Sequence, residues 1–454
     1  MKIDALVYEI GSTTTVVSAF HGLDTSTPQF LGQASAPTSV LEGDVTIGIR
    51  LALRALEQQM NHPIEAKETF ATSSAAGGLK MSVHGLVYDM TVKAAKEAAL
   101  GAGGNIRFVT AGKLTEMDRK KLSSMPLNMI MIAGGVDYGE SQTALDNAKI
   151  IASMKRNIPV LYAGNIVNQE AIAEIFLEEG QTSYLTLCEN VYPQIDQLRV
   201  EQPRAMIQKL FEEHIIHAPG MESLRSEIHG AILPTPGAVM EGLKLLYEDE
   251  DIMAIDVGGA TTDIHSVAKG NDAVQRILMS PEPQEKRTVE GDLGVYINKD
   301  VLIDMIGPSH LMEELQLTKE AWNQLLLDYK PIPSPSQIPL VSLLTKEAVR
   351  VALSRHVGHY KPLYTTSGRT MRAEGKDLTA VRKVYLTGGA LVRIPGGDRL
   401  VENALASLGS DLLLPSSKVE IMMDHDYIMA ACGVLSKQHP QAAKQLLLQS
   451  MRKE

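Results

Sequence analysis

The chain has 454 residues, with 43 Lys and Arg against 54 Asp and Glu and a formal net charge of −11. At roughly 150 residues per domain this length predicts two to four domains, with a core that needs no disulfide or metal staple. The acidic balance excludes a general nucleic-acid binder and a protein docked on an anionic membrane, because both need basic surface.

Strand-like and helix-like runs alternate along the chain, which predicts an α/β architecture. The first run, Ala5–Ile10, breaks at Gly11-Ser12 and resumes as a β-branched run from Thr13 to Phe20, so it reads as strand, turn, strand. A helix is expected from about Val45 to Met60. Helix-like Thr91–Gly101, strand-like Ile106–Val109 and Asn128–Ala133, a helix from about Glu140, strand Pro159–Tyr162 and helix Asn168–Leu177 then form a βα repeat. Such a repeat implies an inserted domain with a parallel sheet. Prolines punctuate a mostly helical connector. A second strand, turn, strand follows at Asp251–Val257, Gly258-Gly259 and Ala260–Val267. A third glycine turn, Gly388-Gly389, follows the strand Lys383–Thr387. The expected division is 1–74 for the first lobe, 75–190 for the insert, 191–245 for the connector and 246–454 for a second lobe whose end returns to the first.

The second hairpin reads Asp256-Val-Gly-Gly-Ala-Thr-Thr-Asp263. Its glycines allow a tight turn, and consecutive N–H groups there make a concave anion site. Thr261 and Thr262 add hydroxyls. A carboxylate beside a phosphate needs a cation between them, and Mg²⁺ suits one or two carboxylates plus phosphate oxygens. An ordinary Gly/Thr hairpin turn would look the same taken alone. The first hairpin repeats the chemistry: Glu9 at a strand end, then Gly11, Ser12 and Thr13. Neither a GxxxxGK[ST] loop nor a GxGxxG opening a helix is present, since each turn leads into a strand.

These hairpins and the Leu386-Thr-Gly-Gly-Ala390 motif, in this order, resemble the phosphate-1, phosphate-2 and adenosine motifs of the sugar-kinase/Hsp70/actin ATPase superfamily. The likeness narrows at Glu42–Gly48, Thr72–Leu79, Ala98–Gly103, Ile132–Gly135 with Asp137, Tyr162–Asn165, Arg287–Gly294 and Gly375–Leu378. These segments resemble the MutL/GlmL family found with adenosylcobalamin-dependent aminomutases, which shares only a name with the mismatch-repair proteins. The resemblance implies an actin-like ATPase fold of two ribonuclease H-like lobes with an inserted parallel βα domain. It implies ATP and Mg²⁺ between the lobes. Gly11, Ser12 and Thr13 would contact phosphates from one side, and Gly258, Gly259, Thr261 and Thr262 from the other. Asp256 would hold the metal through water, Glu9 would be the second acid, and Gly388 and Gly389 would line the adenosine pocket. The superfamily usually has Asp where this chain has Glu9, which makes slow hydrolysis an expectation. Glu290 and Asp292 are the preferred pair near the reacting phosphate.

The function implied is an ATP-linked reactivating chaperone for an adenosylcobalamin-dependent aminomutase, of ornithine or glutamate mutase type, with the insert as partner surface. A small-molecule kinase of the same fold and a nucleotide-binding scaffold without turnover are the alternatives. Cys188 and Cys432 lack CxxC spacing, no apolar run approaches ~18 residues, and the first residues carry no signal-peptide core, so a cytoplasmic protein is expected. His356 reads as a packed residue, and His214 with His217 lacks a metal motif.

Overall fold

The structure is a computed structural model describing residues 1–39, 42–74, 79–214, 228–365 and 368–453. Two compact units emerge. One gathers Met1–Ala75, Pro219–Met279 and Gln284–Glu454; the other is Ala76–Ala218 with Ser280–Pro283.

In the first unit, β1 (Lys2–Ile10) and β2 (Thr14–His21) form an antiparallel hairpin. β3 (Gln29–Pro37) adds antiparallel to β2, and β4 (Glu65–Ser73) lies parallel to β1. Most of β1 and β2 is buried, Glu9 being a partial exception. A sheet covered on both faces selects such continuous apolar, β-branched runs over alternation. The helix Val45–Met60 starts at Asp44, whose carboxylate accepts the Thr46 N–H at 2.9 Å, and stops at Asn61 in the left-handed region. Its buried Val45, Ile49, Ala52 and Leu56 share one face, and the helix packs on β2 and β3.

The chain then builds the second unit from β5 (Leu79–Gly85), β6 (Gly104–Ala111), β7 (Met129–Ile132), β8 (Val160–Tyr162) and β9 (Leu185–Leu187). All pair in parallel, in the order β6-β5-β7-β8-β9. Helices Lys93–Gly101, Glu116–Ser124, Gln142–Ser153 and Gln169–Glu178 alternate with the strands. Ile130, Ile132, Ala148, Tyr162, Ile172 and Phe176 lie in its core.

Back in the first unit, β10 (Ile232–Pro234) joins the sheet parallel to β4, giving the order β10-β4-β1-β2-β3. The second sheet repeats the plan. β11 (Ile252–Val257) and β12 (Thr262–Val267) form a hairpin, and β13 (Glu285–Glu290) pairs antiparallel to β12. A separate hairpin, β14 (His359–Thr365) and β15 (Gly368–Glu374), intervenes. β16 (Lys383–Thr387) and β17 (Glu420–Asp424) then add parallel to β11 and to each other, with β18 (Met451–Arg452) antiparallel at the edge. Apart from β18, both sheets have three antiparallel strands followed by two parallel ones, in equivalent order.

Helices Thr235–Leu246, Met429–Leu435 and Pro440–Ser450 share one core with both sheets. Val239, Leu243, Met429, Val434 and Leu446 cluster with Ala5, Val7 and Phe70 from one and Ile252 and Ala254 from the other. Backbones touch where two of these helices meet: a Cβ on Gly433 would overlap the Ala238 carbonyl. The 191–245 stretch divides between the units, because its apolar residues pack in two places. Val191, Tyr192, Val200, Ile207 and Phe211 are buried in the second unit, and Thr235–Leu246 belongs to the first. His217 and the Ala75–Gly78 part of the Thr72–Leu79 segment lie outside the described residues.

Candidate functional site

The two hairpin turns share one geometry. The Gly11 N–H donates to the Thr14 carbonyl and the Gly258 N–H to the Thr261 carbonyl, each at 2.9 Å. Each acid stands two residues before its glycine: Glu9 faces Val16 across its ladder and Asp256 faces Asp263. The tips meet, since a Cβ on Gly259 would stand 3.3 Å from Thr13 Cγ2.

Three hydroxyls shape the turns. Ser12 Oγ donates to the Ser74 carbonyl at 3.0 Å, Thr261 Oγ1 to Asp263 Oδ2 at 2.9 Å, and buried Thr262 Oγ1 to the Leu293 carbonyl at 2.8 Å. The N–H groups of Ser12, Thr13, Gly259 and Ala260 make no hydrogen bond among the described residues. On the second turn the carbonyls are tied instead. Val295 N donates to Gly258 O at 3.3 Å, Tyr296 N and Ile297 N to Gly259 O at 2.9 and 2.8 Å, and Asn298 Nδ2 to Ala260 O at 2.9 Å. Fixing the carbonyls fixes the peptide planes, so the N–H groups form an oriented anion-binding concavity. The Arg287–Gly294 segment leads into this brace. Its Glu290 and Asp292 both contact Arg355, at 2.5 and 2.8 Å. Burial raises the Glu290 pKa, whereas hydrogen bonds from Arg355 lower that of Asp292.

Glu9 and Asp256 line a cavity of about 10 Å³ with Thr387 and Tyr427, near the size one water needs. Tyr427 donates to Glu9 at 2.8 Å. Burial pushes Glu9 up to about 7, with the Asp424 charge adding and Tyr427 opposing. Burial, then the charges of Asp263 and Glu9, push Asp256 up to about 8. Asp263 is itself buried against Arg287 at 2.8 Å. Asp424 caps the helix Met429–Leu435, accepting the Ile428 and Met429 N–H groups at 3.1 and 2.8 Å.

Gly388 has φ +87, and its missing Cβ leaves the room that Asp256 Oδ1 and the Val257 backbone occupy. β16 can therefore end directly against the acid. Gly389 opens the short helix Gly389–Val392, with nothing within 4 Å of where its Cβ would stand. The structure thus gathers Glu9, Asp256, both turns and Gly388 in one place, while Glu290, opposite Thr262 at the end of β13, and Asp292 are held together by Arg355. Tyr427, Asp424 and Arg393, which lies over the Tyr427 ring at 5.3 Å, were not expected from sequence, and Arg287 was expected only as the first residue of its segment, not as the buried partner of Asp263. Asp424 had a usable signal, an acid closing a strand as Glu9 and Asp256 nearly do; Tyr427 and Arg393 follow no motif.

Repelling acids beside free N–H groups suit magnesium held with a phosphate. Among the described residues no group of three or more His, Cys, Asp or Glu is placed to hold a metal alone. Magnesium is commonly bound through one or two carboxylates completed by phosphate oxygens and waters, which Glu9 and Asp256 beside the turns suit.

These shifts fix a pH dependence. With folded pKa values raised, the Glu9 and Asp256 contribution to stability is present below the unfolded values and is lost as pH rises through about 7 and 8. Buried His265 and His356 lie well below the ordinary histidine value, chiefly through burial. Their contribution is lost as pH falls below about 6.5, where the unfolded chain takes up the protons. Below about pH 6.5 the histidines oppose the acids, and above it, of these four groups, only the acids act. Calorimetry of the nucleotide-free protein is expected to show the first unit's melting temperature highest near pH 6 and declining by about pH 8.5. A steady rise to that pH would contradict the assignment.

Two lobes of duplicated topology, with matching acid–glycine turns meeting between their sheets, define an actin-like ATPase fold. The MutL protein family model matches residues 5–451, and the chain belongs to this family, the GlmL-type one and not the mismatch-repair proteins of the same name. It is 33% identical over 457 residues to Protein MutL of Clostridium tetanomorphum, covering 97% of this chain and 98% of that one. Among solved structures it is similar to nucleotide-free acetone carboxylase, at 11% identity and TM-score 0.41, over 96% of this chain and 70% of that one. It is also similar to the nucleotide-free diol dehydratase-reactivating factor, at 12% identity and TM-score 0.38, over 96% and 100%. No helix among the described residues is long and apolar enough to cross a membrane.

Proposed function

We propose that the chain binds ATP with Mg²⁺ at the paired turns and acts as a reactivating chaperone for an adenosylcobalamin-dependent aminomutase of ornithine or glutamate mutase type. It would loosen the enzyme so that damaged cobalamin leaves. The observation that carries the nucleotide half is the pair of equivalent turns with free N–H groups on touching tips; family membership supports the client half.

In this reading the Ser12 and Thr13 N–H groups take phosphate oxygens on one turn and those of Gly259 and Ala260 on the other, while Gly11, Gly258 and Thr261 shape the turns that let phosphate approach. Thr262 anchors the second turn to Leu293. Asp256 and Glu9 hold the metal, Asp256 through water. Gly388 and Gly389 border the adenosine. Glu290 and Asp292, held by Arg355, orient the attacking water. Bound Mg·ATP supplies the cation that offsets the repelling acids and the phosphates that join the two turns. Nucleotide can drive lobe motion only if it binds two lobe states unequally. Binding without efficient turnover is the second reading, favoured by Glu9 being committed to Tyr427 and partly neutral near pH 7.

The test measures ATP hydrolysis and cobalamin exchange with and without an aminomutase carrying damaged cofactor. Slow hydrolysis with ATP-dependent exchange is expected, and Glu9→Asp is expected to preserve or raise turnover. Tight ATP binding with neither hydrolysis nor exchange would leave the scaffold. Phosphate transfer to a metabolite without exchange would replace the proposal with a kinase.

A further inference from the structure

All five strands of the second unit's sheet run the same way, so the loops after their carboxyl ends form one rim. In open α/β sheets binding residues concentrate on this rim, and small ligands at the point where strand order reverses, here between β5 and β7. The loop after β7 that borders this point is packed on its other side and on itself: Gly134 lies against Tyr162 and Asn165 at the end of β8, and Gly135 against Glu140. The Glu140 carboxylate accepts the Thr143 N–H at 2.8 Å at the start of the helix Gln142–Ser153, where a phosphate would otherwise sit.

What the rim presents instead is large apolar side chains in water. Val87 and Tyr88 follow β5, Tyr138 follows β7, Ile166 and Val167 follow β8, and Ile195 follows β9. Tyr138 is 85% and Ile195 71% exposed. Gathering such residues on one edge is uncommon unless the surface meets a partner.

The loops are also fixed in place. Buried Asn165 accepts the Tyr138 N–H at 3.0 Å and the Val167 N–H at 3.2 Å through one oxygen. Asp137 Oδ1 accepts the Ile166 N–H and Asn190 Nδ2, both at 2.9 Å. Tyr192 Oη accepts the Asp196 N–H at 2.8 Å and pins the segment bearing Ile195. Tyr138 is held at φ +62, a region bulky side chains rarely adopt. The backbone is thus strained to point an aromatic residue at solvent, a pattern that clusters at functional sites.

Charge narrows the partner. The loops after β5, β7, β8 and β9 (86–91, 133–141, 163–168 and 188–197) contain Asp89, Asp137, Glu140, Glu189 and Asp196 and no Lys or Arg, while the loop after β6 adds Lys113, paired with Asp146, and Lys96 lies over the Tyr88 ring. An apolar, aromatic contact whose border carries five acids against one loop lysine selects a surface of matching shape and mainly opposite charge.

We propose that this rim is the face that docks the mutase, with Tyr138, Ile166, Val167 and Ile195 entering an apolar recess whose border is rich in Lys and Arg. The inference rests on the reading of the chain as an aminomutase reactivating factor and adds the face and its chemistry. The probes are purified glutamate mutase and ornithine mutase carrying hydroxocobalamin, titrated against the full chain. The rim variant is Tyr138→Gly, which keeps the left-handed backbone, with Ile166→Ser and Val167→Ser. It is expected to melt within a few degrees of wild type, to keep its basal ATP binding, and to bind the mutase at least about tenfold more weakly. Asp89→Asn with Asp196→Asn is expected to slow association and flatten its salt dependence. Wild-type mutase affinity in the folded rim variant overturns the docking face and leaves the reactivating role intact. Failure of the wild-type chain to bind either mutase overturns both. Dimerisation of the wild-type chain that the rim variant loses would mark a self-interface and also overturn the proposal.

Discussion

Asp256→Asn is expected to weaken Mg-dependent ATP binding by roughly 10- to 100-fold or more while making the nucleotide-free protein more stable at alkaline pH. Both effects have one cause. Asp256 is half-buried beside Asp263 and Glu9, and its carboxyl is pushed up to about 8. As pH rises through that value the folded chain must carry a charge that the surroundings oppose. Asparagine fills the same space against Gly388 without the charge, so it removes the penalty along with the means to hold a hydrated magnesium ion. The stability gain should vanish at about pH 6, where the wild-type acid is protonated. Calorimetric titration of ATP with Mg²⁺ and with EDTA, alongside melting curves at both pH values, reads all of this. Unchanged Mg·ATP affinity would show that the second turn is not the phosphate site.

Arg287→Ala is expected to destabilise the first unit by about 3–5 kcal/mol, because breaking a buried ion pair strands the remaining charge. Arg287 is 1% and Asp263 3% exposed, and the guanidinium donates to Asp263 at 2.8 Å. Burial depresses the Arg287 pKa, and Asp263 opposes the shift. Without Arg287, Asp263 lies uncompensated near Asp256. Arg287→Met combined with Asp263→Leu should recover most of the loss, since an apolar pair of similar volume is often as stable as a buried ion pair. Urea melts of both variants decide the matter. A single variant within about 1 kcal/mol of wild type, the range of an exposed pair, would place the pair in solvent.

The two glycine hairpins were legible because they are local. A strand, glycine turn and β-branched strand fall within some twenty residues at Ala5–Phe20 and again at Asp251–Val267, and both became the hairpins that meet at Thr13 and Gly259. The helix Val45–Met60 and strands β7, β8 and β16 followed from apolar runs bounded by Gly, Pro or Asn. Strands carrying mixed side chains were not legible. β13 reads Glu-Lys-Arg-Thr-Val-Glu, yet it pairs along its length with β12 and supplies Arg287 to the interior. β3 contains Gly32 and a bulge, and gives no alternation to read. Tyr427 reaches Glu9 across 418 positions of sequence, so only the closing of the fold makes them neighbours. The Gly375–Leu378 segment carried the family likeness without a role that its residue types disclose. Its Lys376 donates to the Ala268 and Gln284 carbonyls at 2.7 and 2.9 Å and ties together the chain on either side of the β12–β13 connection.

The repeated sheets also differ in one link. Between β16 and β17 the chain crosses with two short helices, Gly389–Val392 and Gly397–Ala406. Between their counterparts β4 and β10, it builds nearly all of the second unit before resuming the same parallel ladder. The insert is thus a graft on a single crossover, and both of its junctions border paired strands that the other lobe joins with far less chain. Such a graft can be rewritten in evolution, or exchanged in the laboratory, without altering the residues of either glycine turn. Partner choice and nucleotide chemistry would then be inherited as separate parts, with only the short Ser280–Pro283 stretch of the β12–β13 connection shared with the insert.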